Sequence, residues 1–311
     1  MPLADLLPPS FFAVLSVVWG LLWGSFATVA IVRIPEGRSV VRPGSSCDGC
    51  GVPIPPWKNI PVFAWLFLRG RASCCGAVIP WRVPVVEALG GALAYLSFVR
   101  ATGTDQGLTA ANLVLALVVF AGALTAIVLT FIDLDCMYLP DGGVVLLAIL
   151  GAVCVWIKRT PWEDAALGGL VAFAVVYIPF IWGYEKLRGF PGMGLGDAKL
   201  LAAVGVWFGW QGATTCLVLA AVQGTMIALC TFMVAGRIDE PEAVVRERQE
   251  LKELAASGDI EAQEALRQDP LADAPAPGLG SARVAFGPFI CLAFLEWLFA
   301  EDFLVSWLLP A

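Results

Sequence analysis

Histidine is absent from this 311-residue chain. That absence excludes Ser–His and Cys–His triads, HExxH zinc sites and imidazole general bases together. Charge is scarce as well: 14% of residues are charged, against about 25% in an ordinary globular domain. With 59% hydrophobic residues, that scarcity excludes a water-soluble domain and predicts a polytopic membrane protein, whose first partner is the lipid bilayer. Basic excess is missing too, the formal net charge being −7, so no nucleic-acid partner is expected. The N-terminal MPLADLLPPS lacks the basic region and small-residue cleavage site of a secretory signal, which leaves the first apolar run as a membrane anchor. Nine cysteines are too few for a disulfide scaffold in a chain this long.

What remains is organised by apolar runs. A helix crosses the roughly 30 Å hydrocarbon core with about 20 such residues. Runs at 11–32, 83–99, 112–132, 143–157, 166–183, 198–210, 213–235 and 285–309 predict about eight transmembrane helices. The 198–210 run is short, and the last contains Glu296, Glu301 and Asp302. With the N-terminus placed outside, only Arg100, Lys158 and Arg159 of the 19 Lys and Arg residues fall outside, a strong positive-inside asymmetry. The segments 33–82, 133–142, 184–197 and 236–284 are then cytoplasmic. Residues 33–82, rich in Pro, Gly and Cys, form a small irregular lobe. Residues 237–269 are charged and rich in Glu, Ala and Leu, which predicts two short surface helices followed by a flexible linker, Pro270–Ser281. The chain thus divides into residues 1–100 (first helix, cysteine lobe 33–82, second helix) and residues 101–311, a membrane domain with a charged cytoplasmic insertion at 237–283.

Acids at membrane depth are expensive and face a polar cavity or a partner. TFIDLDCMYLPD closes one predicted span with Asp133, Asp135 and Asp141, and FPGMGLGDAKL opens another with Asp197 and Lys199. Both clusters fall at the cytoplasmic face, so a carboxylate pair from separate spans is geometrically available. Peptide hydrolysis without a metal or a nucleophilic side chain needs such a pair, one group to activate water and one to protonate the carbonyl oxygen. Gly192, Gly194 and Gly196 before Asp197 allow positive φ and close approach of a substrate strand. Taken alone, these residues also suit a turn with an Asp cap. The paired acids, their shared sidedness and the missing histidine favour catalysis. Lys199 lies about 200° around the helix from Asp197, which argues against a direct pair.

Several segments together resemble the type IV prepilin peptidases, also called prepilin leader peptidases and N-methyltransferases. They are Gly20–Cys50, Asn59–Glu87, IDLDCMYLPD at Ile132–Asp141, GMGLGDAKL at Gly192–Leu200 and VAFGPFI at Val284–Ile290. The resemblance implies a GxGD-type aspartic peptidase of the bacterial inner membrane that removes the leader of type IV prepilins or pseudopilins on the cytoplasmic side. It also implies methylation of the new N-terminus with S-adenosylmethionine. The family's catalytic aspartates fall on Asp133 and Asp197. Asp135, Asp141, Gly194, Gly196 and Lys199 match supporting positions, and Glu87 matches the acid that closes the lobe, where a helix-end ion pair is the plainer reading.

The family's lobe carries two CxxC pairs that imply zinc. Here Cys47 and Cys50 keep the first, but the second reads Ala72-Ser73-Cys74-Cys75. Adjacent Cys74 and Cys75 could complete four ligands with Cys47 and Cys50 only through an unusual turn; free or redox-labile thiols are the alternative. Thr28 stands where the family often has Asn, which touches methyl transfer more than cleavage. Two other classes compete with the peptidase reading, a proton-coupled transporter and a non-catalytic membrane scaffold. The visible absence of a repeat and the placing of the acids at span ends count against the transporter.

Overall fold

Lipid offers no partner to a backbone N–H or C=O, so an apolar run of membrane length satisfies these groups within itself as a helix. The computed structural model describes residues 8–103, 109–158, 160–268 and 283–308. In order, these form α1 (Pro9–Arg33), a 3-10 turn (Pro56–Lys58), α2 (Phe63–Phe67), α3 (Arg82–Thr102), α4 (Ala110–Cys136), α5 (Asp141–Lys158) and α6 (Trp162–Val176). A π-helical stretch (Tyr177–Gly183) leads to α7 (Tyr184–Arg188), α8 (Leu195–Ala235), α9 (Glu242–Ala256), α10 (Ile260–Gln268) and α11 (Gly287–Leu308). Among the described residues there is no strand, only isolated bridges between Ser46 and Pro53 and between Arg71 and Val78. The fold is all-α and polytopic: among the described residues, six helices are long and apolar enough, by length and composition, to cross a membrane. The linker Pro270–Ser281 and Arg159 lie outside the described residues.

Two departures from the expected spans have local causes. The runs at 198–210 and 213–235 are joined in α8, whose 41 residues would extend about 60 Å, twice one crossing. Gly209 breaks it at φ 70°, ψ −177°, a conformation only glycine adopts freely. The run at 166–183 continues beyond α6 as a π-helix through Pro179, which has no N–H to give an α-helical ladder. In α11 the acids that made its span doubtful have partners: Gln223 Nε2 donates to Glu296 Oε2 at 2.7 Å, and Arg100 pairs with Glu301 at 3.2 Å.

The chain divides into two compact units, residues 1–128, 149–159 and 298–311, and residues 129–148 and 160–297. In the first, α1 and α3 cross so closely that a Cβ on Gly20 would collide with the Gly90 carbonyl, and one on Gly24 would stand 2.8 Å from Glu87 Cα. Small residues permit such crossings in lipid, where packing replaces the hydrophobic effect. In the second, α6 and α8 do the same through Gly168 and Gly205, whose added Cβ atoms would each collide with the other's carbonyl. There Trp207 Nε1 donates to the Leu147 carbonyl at 2.8 Å and its ring meets Phe294 edge-on at 5.4 Å, tying α8 to α5 and α11.

The insertion starts with α9 and α10, the second capped by Asp259, whose Oδ1 accepts the Glu261 and Ala262 amides. Its base is clasped by Glu240, which pairs with Arg248 at 2.7 Å and with Arg283 at 3.3 Å; the Glu240 and Arg248 side chains are buried.

Candidate active site

Asp133 sits in the last turn of α4 and is 4% exposed. Its Oδ2 is buried and has no hydrogen-bond partner among the described residues. A buried polar atom left unmade costs about 1–3 kcal/mol, so its retention asks for a use. Asp197, half-buried in the first turn of α8, lies close enough for the two carboxylates to interact electrostatically. The structure therefore brings together the two acids that the sequence placed at one membrane face.

Three backbone approaches frame this pair. Gly287, the first residue of α11, lies against Asp133: a Cβ there would stand 2.6 Å from Oδ2 and 3.2 Å from Leu139 Cδ1. Gly196 faces the same Leu139, its Cβ position 3.1 Å from Leu139 Cβ. Gly194 lies beside Asp197, its Cβ position 3.2 Å from Oδ2, and accepts the Asp197 amide at 3.2 Å. The glycines do not act by positive φ as expected: none of Gly192, Gly194 and Gly196 is among the positive-φ residues. Their use is close approach. Gly192 shows it best, donating its N–H to the Phe180 carbonyl of the π-helix at 2.8 Å, with its Cβ position 2.9 Å from the Tyr184 ring. The wide turn thus anchors the loop that delivers Asp197.

The supporting residues separate. Lys199 does not pair with Asp197; its Nζ grips both oxygens of Asp141 at 2.8 and 3.1 Å, tying the start of α5 to the start of α8. Asp135 is half-buried in the last turn of α4, two residues around the helix from Asp133. Glu87 lies in the other unit, on α3, 5% exposed; its partners are neutral donors, the Val62 amide at 2.6 Å and the Ser25 hydroxyl. Sequence reasoning passed over Gly287. The signal was available in the Phe286-Gly287-Pro288 triplet opening an apolar run, where a glycine before a proline marks a constrained helix start.

The four lobe thiols converge. Cys47, Cys50, Cys74 and Cys75 place their sulfurs within 4.8 Å of one another, with Cys47–Cys75 at 3.6 Å, Cys50–Cys74 at 3.3 Å and Cys74–Cys75 at 3.9 Å. Four thiolates at about 2.3 Å around a tetrahedral zinc stand about 3.8 Å apart, so the donor set fits that ion. The unusual turn is present and repeats the first one. Cys47 N–H bonds to the Val52 carbonyl and Gly51 N–H to that of Cys47; Ala72 N–H bonds to the Ala77 carbonyl and Gly76 N–H to that of Ala72. In this register Ala72 corresponds to Cys47 and Cys75 to Cys50, so Cys74 supplies the thiol that Ala72 lacks. The Gly49 amide, and after it the Cys74 thiol, hold Cys47 down to about 7, whereas bonds from Cys50 and Cys47 push Cys74 up to about 12.

Apolar helices of membrane length with a buried acid pair at helix ends define a class, the polytopic membrane proteins that keep carboxylates for chemistry or transport. Residues 18–101 match the bacterial peptidase A24 N-terminal domain and residues 118–229 the type IV leader peptidase family. The chain belongs to that family and is a multi-pass inner-membrane protease. Among its relatives, a prepilin leader peptidase/N-methyltransferase of Aeromonas salmonicida (strain A449) is 34% identical over 74% of this chain and 84% of its own length. One of Pseudomonas putida is 33% identical over 71% and 81%, and one of Myxococcus xanthus (strain DK1622) is 31% identical over 96% and 93%. No solved structure matches. Membership favours the peptidase over the transporter and the scaffold.

Proposed function

We propose that Asp133 and Asp197 are the catalytic carboxylates of an endopeptidase that removes the leader from type IV prepilins or pseudopilins at the cytoplasmic membrane face. The observation that carries this reading is the buried Oδ2 of Asp133, without a partner among the described residues and in the field of Asp197. Two such carboxyls share one proton. The ionised one takes a proton from water as the oxygen attacks the scissile carbonyl, and the protonated one gives its proton to the carbonyl oxygen. Collapse of the tetrahedral adduct then breaks the C–N bond, the leaving amine taking the proton that came from water while one hydroxyl of the adduct returns its proton to the other carboxylate, which restores the pair. Sidedness rests on the Lys and Arg distribution. Since both acids lie at helix ends, the fitting substrate is a membrane-inserted helix whose unwound end reaches them.

Residues 1–100 and 101–311 form the two functional parts of this reading. In the first, Cys47, Cys50, Cys74 and Cys75 hold zinc, which supplies a structural cross-link between the two turns of the lobe. The relatives' second activity, N-methylation, extends to this chain with S-adenosylmethionine as the source of an electrophilic methyl group.

The test is co-expression with a prepilin-like substrate. Asp133→Ala and Asp197→Ala should each abolish leader removal while inserting normally in the membrane. Retained cleavage in either variant defeats the assignment.

A further inference from the structure

The loop between α4 and α5 holds a residue to which the cleavage chemistry gives no part. Leu139 is 7% exposed, although loops run over the surface and Tyr138 and Asp141 beside it are exposed. The loop has little freedom. Met137 closes α4 at φ 49°, a left-handed backbone that methionine enters only under strain, and its N–H bonds to the Asp133 carbonyl at 2.8 Å. Pro140 restricts the backbone of Leu139 before it and accepts the Gly143 and Val144 amides at 3.0 and 3.2 Å, which starts α5. Leu139 is therefore held from both sides.

Within the same unit, its side chain meets glycine on two other elements. A Cβ on Gly196, at the start of α8, would stand 3.1 Å from Leu139 Cβ and 3.4 Å from its Cδ1. A Cβ on Gly287, at the start of α11, would stand 3.2 Å from that same Cδ1. One leucine thus fills the space that two side chains would otherwise contest. Each glycine is coupled to an acid: Gly196 precedes Asp197 in the chain, and Gly287 gives its amide to Asp133. A close-packed interior yields little to compression, so the width of this leucine sets how far the Asp197 backbone stands from the Asp133 carboxylate. Two carboxyls share a proton only at short range, and their repulsion falls with distance, so the chemistry is sensitive to that width.

Resting on the assignment of Asp133 and Asp197 as the catalytic pair, we propose that Leu139 is the spacer of that pair, a positioning residue that fixes the carboxylate separation through Gly196 and Gly287. A leucine placed for burial alone would influence stability and leave the turnover of the folded enzyme untouched. A spacer is replaceable only by a side chain of equal width, or by width supplied from the opposite wall.

Purified full-length protein in detergent, cleaving a prepilin-like peptide, tests this through kcat and KM beside thermal melting. Leu139→Ala should lower kcat about 10²-fold and leave KM within a few-fold of wild type. Gly196→Ala should lower kcat as well, because its methyl enters occupied space. Combined, the two substitutions exchange width across the contact, and the double variant should outpace Leu139→Ala by roughly tenfold or more. Leu139→Met, of similar volume, should keep kcat within a few-fold of wild type. Leu147→Ala supplies the contrast: that side chain is fully buried on α5 in the same unit, and its loss should lower the melting temperature at unchanged kcat of the folded enzyme. If Leu139→Ala does not accumulate, Leu139→Val with and without Gly196→Ala makes the same comparison. A folded Leu139→Ala enzyme with wild-type kcat, or a double variant no faster than the single one, overturns the spacer and leaves the catalytic pair intact. Retained cleavage in Asp133→Ala or Asp197→Ala overturns the pair, and the spacer with it.

Discussion

Each unit buries an acid on a helix, and the two acids are treated oppositely. Glu87 in the first unit is 5% exposed and is met by an amide and a hydroxyl; Asp133 in the second is 4% exposed, is met by the Gly287 amide alone and keeps Oδ2 without a partner among the described residues. Both units use the same device to bring helices close, glycine against glycine, so packing does not account for the contrast. What differs is the chain around the acid. The first unit surrounds its acid with an irregular lobe that has spare amides to offer. The second delivers Asp133 from a helix end with a glycine backbone against it, which contacts the carboxylate without satisfying Oδ2. A satisfied acid is suited to tie the lobe to its helix, an unsatisfied one to exchange a proton.

The sharpest way to break this comparison is Asp133→Asn. Cleavage should fall roughly 10³-fold or more, with a melting temperature no lower than wild type, because a neutral amide relieves the unpaired site; thermal melting beside a cleavage assay reads both. Gly287→Ala comes next: its Cβ would stand 2.6 Å from Asp133 Oδ2 and must push the carboxylate aside. A displacement near 1 Å can cost about 10²-fold in rate, seen as a fall in kcat with the chain still folded. In the first unit, Cys74→Ala should leave less than one equivalent of zinc by elemental analysis, and adding Ala72→Cys should restore it. Glu87→Leu strands the Val62 amide and should lower stability by about 1–3 kcal/mol in denaturant titration, whereas Asp133→Leu should not. Lys199→Ala is the mildest: an exposed pair with Asp141 is worth about 0–1 kcal/mol, so cleavage should change only a few-fold.

The helices were legible because lipid leaves an apolar run no other option, and the two acid clusters because charge at membrane depth needs a reason, while the choice of Asp133 over Asp135 came from the family resemblance. The joining of 198–210 with 213–235 into α8 was not, since hydropathy shows a weak point at Gly209 without saying whether the chain turns or bends. The π-helix was hidden for a similar reason: Pro179 signals an interrupted ladder, while the wide turn depends on Gly192 finding the Phe180 carbonyl from twelve residues away in a separate loop. Cys74 was legible as a candidate fourth ligand, but the turn that brings its sulfur to the other three was not, because that turn depends on two loops sharing one hydrogen-bond pattern. Gly287 touches Asp133 across some 150 residues of sequence, a contact that no local pattern encodes.

The buried clasp of Glu240 with Arg248 and Arg283 has one more consequence. Arg283 stands only a few residues before α11 and Glu240 only a few after α8, so the clasp fixes both ends of the insertion to each other. Arg248 makes the first half of α9 part of that anchor, so only the stretch beyond α9 is free of the clasp. The stretch after α9 is in that sense an interchangeable cassette, and a reporter spliced at its start should leave cleavage unchanged in a co-expression assay.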